Sequence, residues 1–170
     1  MYNKMTYKDL MKIKEEIEYR KLVVRKKALE EVKEARAHGD LSENFEYKAA
    51  KQFKNQNESR IRYLERMLKT AIIIPEGSQD DEVGINDRVT LYYPADDEEE
   101  IIKLVTTIRS NPLKGRISID SPLGKAILHH KVGDRVTVTA NDSSTYEVVI
   151  RNIDKLFDDE DEDEDKVKDY

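Results

Sequence analysis

A chain of 170 residues, 39% of them charged and only 7% aromatic, with no Trp, is too small for a multilayered core and too polar for a membrane bundle. The absence of cysteine excludes disulfides and thiolate metal sites and agrees with a reducing, cytoplasmic setting. The net charge of −6 is unevenly spread: residues 1–70 hold 18 Lys/Arg against 12 Asp/Glu, whereas Asp158 to Asp165 is an unbroken run of eight acids.

The chain opens on polar residues, so no signal peptide is expected, and no apolar run approaches the ~18 residues of a membrane helix. Thr6 followed by Asp9 forms an N-terminal cap pattern for a first helix. Leu10, Ile13, Ile17, Val24, Ala28, Val32 and Ala35 then mark one stripe that ends at Gly39. A second helix carries Ala50, Phe53, Ile61, Leu64, Leu68 and Ala71 at three- and four-residue spacing, with Asn57 in the seam, where a polar residue fixes register. Two such arms, each of ~30 residues and ~45 Å, predict an antiparallel coiled-coil hairpin over 1–76.

Pro75 stops the second helix. An acidic linker covers 77–86, and beyond it the period changes to alternation. Strands are predicted at 88–93, 100–108, 116–119, 135–140 and 145–153. Between the third and fourth, Ser121 caps a short helix with Pro122 at its first position. The fold class is therefore α+β in two domains, a coiled-coil hairpin followed by a small α+β domain over 87–157. The acidic segment 158–170 reads as a disordered, solubilising tail, with binding to the chain's own basic arm as the other reading.

The break between the two helices, 38–46, holds Asp40, Glu43 and Glu46 around Gly39. Close-set carboxylates at the end of a rigid arm suit a hard cation such as Mg²⁺. The spacing Asp40-x-x-Glu43 is equally a capping box for the second helix. Lys48, Lys51 and Lys54 follow at three-residue intervals, either as a solvated face or as a phosphate-tracking, RNA-binding patch. Phe45 places an aromatic ring at the tip. His38, His129 and His130 have no metal-triad spacing and read as surface or turn residues.

Gly39-Asp40-Leu41-Ser42-Glu43-Asn44, with Glu46-Tyr47 beyond, resembles the tip signature of the bacterial Gre transcript-cleavage factors. Arg60-Ile61, Leu64-Glu65, Ala71, Ser121-Pro122-Leu123-Gly124-Lys125-Ala126, Val132-Gly133-Asp134 and Tyr146-Glu147-Val148 extend the resemblance over about 5–153. The resemblance implies that the second domain is FKBP-like and docks on bacterial RNA polymerase through Asp120, Ser121 and Pro122. It further implies that the hairpin enters the polymerase secondary channel. There Asp40 and Glu43 would help hold an Mg²⁺ shared with the polymerase, and so stimulate its own cleavage of the 3′ end of backtracked RNA. On this reading the protein is a stimulator rather than an enzyme, with no membrane partner, and a monomer is expected. Two alternatives stand beside it: a Gre-homologous factor that regulates transcription without cleavage, and an FKBP-like prolyl isomerase.

Overall fold

The computed structural model describes residues 3–39, 44–76 and 78–155. They form two compact units, one made of the helices within Lys8–Ala71 and the other of Asn3–Tyr7 with the chain from Ile72 onward.

In the helical unit, α1 (Tyr7–Tyr19) continues through a π-helical turn (Arg20–Val24) into α2 (Arg25–Ala37), and α3 (Phe45–Lys69) packs back against this arm. Ile13, Ile17, Ala28 and Ala35 of the first arm are buried, as are Ala50, Ile61, Leu64 and Met67 of α3. The stripe read from sequence is therefore largely the seam, with two differences. Phe53 is 38% exposed, and Met67, outside the expected stripe, is buried in the last turns.

The π turn is the larger departure, because an unbroken α-helix was expected. The Arg20 carbonyl accepts the N–H of Arg25, five residues on, in place of the usual four. The same carbonyl also accepts Nδ2 of buried Asn57 from the facing helix at 3.3 Å. A side chain inserted into the helical ladder is a recognised cause of such a local widening. Asn57 returns the contact through Oδ1, which accepts from the Arg20 guanidinium at 3.1 Å. One turn further along the seam, Glu16 accepts from Arg20 Nε at 2.8 Å and from Arg60 through Nε at 2.9 Å and Nη2 at 3.3 Å. The middle of the hairpin is thus specified by four polar side chains.

The second unit is built on a five-stranded sheet of order β5-β4-β3-β7-β6: β3 (Arg88–Tyr93), β4 (Glu98–Val105), β5 (Arg116–Ser118), β6 (Arg135–Asn141) and β7 (Ser144–Asp154). All neighbours are antiparallel except β4 and β5, which run parallel. One face carries Val89, Leu91, Ile102, Leu104, Val136, Val138, Val148 and Ile150, packed with Ile127 of α4 (Pro122–Ile127). A short ribbon of β1 (Asn3–Met5) and β2 (Ala71–Ile73) was not expected; Ile72–Ile74 read only as the end of a helix. The predicted strand to residue 108 stops at Val105, because Thr107–Arg109 tighten into a 3₁₀ turn. Lys155 anchors the end of the sheet by donating to Asp87 at 2.6 Å, the Glu82 carbonyl at 2.5 Å and Ser78 at 3.1 Å. Asp87, wholly buried, also accepts the Gly84 N–H at 2.6 Å. No helix among the described residues is long and apolar enough to cross a membrane.

Candidate functional site

The hairpin tip is organised by residues on either side of 40–43. At the end of α2, His38 closes the last turn with its N–H on Ala35 O. Gly39 then takes φ +123°, a left-handed value at which a side chain would be strained. On the other side, Asn44 is the N-cap of α3: its Oδ1 accepts the Tyr47 N–H at 2.9 Å. Its Nδ2 donates to Ala35 O at 2.6 Å, so one side chain both starts α3 and ties it to the last turn of α2. The cap therefore falls later in the chain than the Asp40-x-x-Glu43 capping reading puts it. Asp40 and Glu43 lie outside the described residues.

Around this clasp the helices present mixed charge. Glu46 meets His38 Nδ1 at 3.0 Å on the surface. The Arg36 guanidinium lies 5.5 Å from the centre of the Tyr47 ring and 3.4 Å from its hydroxyl. That hydrogen bond holds the Tyr47 phenol below its ordinary pKa, and the charges of Lys51 and Lys54 act in the same direction. Phe45 is 80% exposed, with the Lys48 ammonium 5.5 Å over its ring. Lys48 and Lys51 are exposed and Lys54 is half-buried. The three lysines read from sequence thus belong to a larger cationic group that includes Arg36, which sequence spacing missed because it sits on the other helix. Among the described residues no group of His, Asp and Glu is arranged to hold a metal. His129 pairs with Glu82 at 3.5 Å and His130 with Asp134 at 3.1 Å.

In the sheet unit, Asp120, Ser121 and Pro122 form the entry to α4. Ser121 Oγ accepts the Gly124 N–H at 3.0 Å and donates to Ser118 O at 2.6 Å, with Pro122 in the first turn. A Cβ on Gly124 would lie 2.0 Å from Ser118 O, so this close approach of helix to strand requires glycine. Asp120 is held by its N–H on Ser118 Oγ at 3.0 Å and by Thr107 Oγ1, which donates to its carboxylate at 2.8 Å. Lys4 stands 3.8 Å from the same carboxylate, which remains accessible. Asp120 and Pro122 are exposed on a rigid turn.

The described residues thus form a helical hairpin with a clasped tip and a small sheet domain with a rigid exposed turn. The description "Transcription elongation factor, N-terminal" matches residues 3–73, and "Transcription elongation factor, GreA/GreB, C-term" matches residues 78–155; the chain belongs to the GreA/GreB family. It is 44% identical over 135 residues to transcription elongation factor GreA of Geobacillus kaustophilus, covering 79% of this chain and 85% of that protein. Identity to GreA of Thermoanaerobacter pseudethanolicus is also 44% over 135 residues, covering 79% and 86%. Among solved structures, the transcription factor Gfh1 is 28% identical, with a TM-score of 0.45 over 90% of this chain and 97% of that one.

Proposed function

We propose that this chain stimulates the intrinsic, Mg²⁺-dependent cleavage of backtracked RNA by bacterial RNA polymerase, with its hairpin tip inserted in the secondary channel. The observation that supports this reading best is the cap. α3 is capped by Asn44, and Glu46 is engaged with His38. The helix start therefore does not need Asp40 and Glu43. In the chain Asp40 directly follows Gly39, and Glu43 directly precedes Asn44, the residue that forms the clasp.

The donor chemistry fits Mg²⁺, which takes oxygen ligands, keeps several waters and needs only one or two protein carboxylates. Two carboxylates make an incomplete shell, so tight binding would require the polymerase's own ligands. When bound, the ion would lower the pKa of a water and orient it for attack on the RNA phosphate. Asp40 and Glu43 would hold and orient the ion, next to the base of the tip that Asn44 fixes. Arg36, Lys48, Lys51 and Lys54 would follow the RNA backbone by charge alone, without reading sequence. Docking would rest on the sheet unit, through exposed Asp120 and Pro122.

Asp40→Asn and Glu43→Gln should each abolish stimulated cleavage in a stalled-complex assay while binding to the polymerase persists. Added Mg²⁺ should partly restore the single variants. Wild-type cleavage by Asp40→Asn at normal binding would refute the mechanism. If the unaltered chain binds the polymerase and suppresses transcription without cleavage, the regulatory alternative holds instead.

A further inference from the structure

β4 and β5 run parallel, unlike the other neighbours in the sheet, so the chain leaves both strands on the same side. The register sets Val105 opposite Ser118. Thr107, two residues beyond Val105, therefore meets Asp120, two residues beyond Ser118, although 13 positions separate them. Three residues close a ring there. The Asp120 N–H donates to Ser118 Oγ at 3.0 Å, and Thr107 Oγ1 donates to Asp120 Oδ2 at 2.8 Å. The two hydroxyl oxygens lie 2.8 Å apart. A carboxylate only accepts, and a hydroxyl has a single proton. Thr107 gives its proton to Asp120, so the bond between the hydroxyls runs from Ser118 to Thr107. Each hydroxyl then donates once and accepts once, and the bonds of the ring reinforce one another. Asp120 is held at its backbone N–H and at Oδ2. Its other oxygen, Oδ1, faces only the Lys4 ammonium of β1, 3.8 Å away, and the side chain is 43% exposed.

We infer that Thr107 and Ser118 are positioning residues for docking, which aim Oδ1 of Asp120 at a cation, a guanidinium or an ammonium, on the polymerase surface. The inference rests on the docking role proposed for Asp120. An exposed aspartate ordinarily turns about its side-chain bonds, and ordering it at an interface lowers affinity. The ring orders this one before a partner arrives. Ser118 is buried, so the ring is anchored in the domain, while Asp120 stands at its surface. Lys4 shows which chemistry suits the free oxygen, since a cation already reaches it there. Both members of that ion pair are largely exposed, and at 3.8 Å the pair is weak enough for a better placed cation to displace it. Lys4 thus holds the place that the partner's cation takes. Thr107 and Ser118 act through Asp120, and neither needs to touch the polymerase.

Full-length variants competing with a fluorescent wild-type chain for bacterial RNA polymerase give the affinities. Thr107→Val keeps the shape of an exposed side chain and removes its hydroxyl. It should weaken binding about threefold to tenfold, the range that one hydrogen bond carries. Ser118→Ala should do the same, and Thr107→Ser, which keeps the hydroxyl, should restore wild-type affinity. On an Asp120→Ala background, Thr107→Val should cost nothing further. Lys4→Gln should tighten binding by a factor of about two, because it frees Oδ1. If Asp120→Ala itself binds as the wild type does, the docking reading fails and this inference with it. If Asp120→Ala weakens binding and Thr107→Val does not, docking by Asp120 stands and the inference is overturned. An equal loss from Thr107→Val with or without Asp120 also overturns it, since Thr107 would then touch the partner directly. Weaker binding by Lys4→Gln overturns the assignment of a cation to the partner.

Discussion

The hairpin and the sheet domain solve the problem of specifying one structure in opposite ways. The sheet domain encloses a contiguous aliphatic cluster in which Val89, Leu91, Leu104, Ile127, Val138, Val148 and Ile150 lose all contact with water. The hairpin has only two layers of helix and a single seam, and at its centre Glu16, Arg20, Asn57 and Arg60 take the place of apolar side chains. A thin element gains little from burial, so its alignment depends on directional contacts that fit in one register only. Where apolar packing is plentiful, no such device is needed.

The comparison can be broken most forcefully in the sheet. Leu91→Ala should cost about 2–5 kcal/mol, as expected for a fully buried leucine. Native-state hydrogen exchange should show the loss across β3, β4 and β7 while α3 keeps its protection. A loss shared equally by α3 would show that the two units unfold together.

Glu16→Ala tests the hairpin's reliance on polar pairing. It leaves the 6%-exposed Arg60 without its bidentate carboxylate, and about 2–3 kcal/mol of hairpin stability should go with it. The same pair should respond to acid. Burial alone would raise the Glu16 pKa, but the hydrogen bonds from Arg60 and Arg20 outweigh it and leave it below the ordinary value. A depressed folded pKa means the contribution is whole above the unfolded value, about 4.3, and is lost as pH falls through the lower folded one. Urea midpoints of the hairpin should therefore drop as pH falls below about 4.3, and drop less in Glu16→Ala.

Asn44→Ala should have the smallest effect on stability, about 1 kcal/mol for a lost cap. Its effect on stimulated cleavage should be larger than that figure suggests, because the clasp to Ala35 O also sets the base of the tip. Thermal melting and the stalled-complex assay, run on one preparation, separate the two effects. Cleavage that falls no further than melting explains would reduce Asn44 to an ordinary cap.

Much of this was legible in sequence, for reasons that differ by element. Ile13, Ile17, Ala28, Ala35, Ile61 and Leu64 recur over enough turns for the helical period to show, and the alternation in 88–93 and 135–140 marks the sheet. The β1–β2 ribbon was not legible, because three-residue strands carry no period. Asn57 could be placed in the seam, but its partner could not, since a hydrogen bond to a backbone carbonyl 37 positions away leaves no trace in spacing. At the tip, spacing pointed to Asp40-x-x-Glu43 as the cap of the second helix, and only the geometry shows that Asn44, the next residue, is its N-cap. Asp120 and Pro122 could be singled out, but not the reason their turn is rigid, which lies in the contact between Gly124 and Ser118.

The π turn gives this hairpin an unusual tolerance. A hydrogen bond to the fifth residue in place of the fourth is how an α-helix absorbs one surplus residue while its later turns keep their facing. Removing a single residue from Lys21, Leu22 or Val23 should let the segment relax into ordinary α-helix, with Ile17 and Ala28 still facing α3. The same deletion elsewhere in α1 or α2 would turn everything beyond it by about 100° and pull half the seam out of contact. Of all positions along the first arm, this is where a change of chain length would cost least.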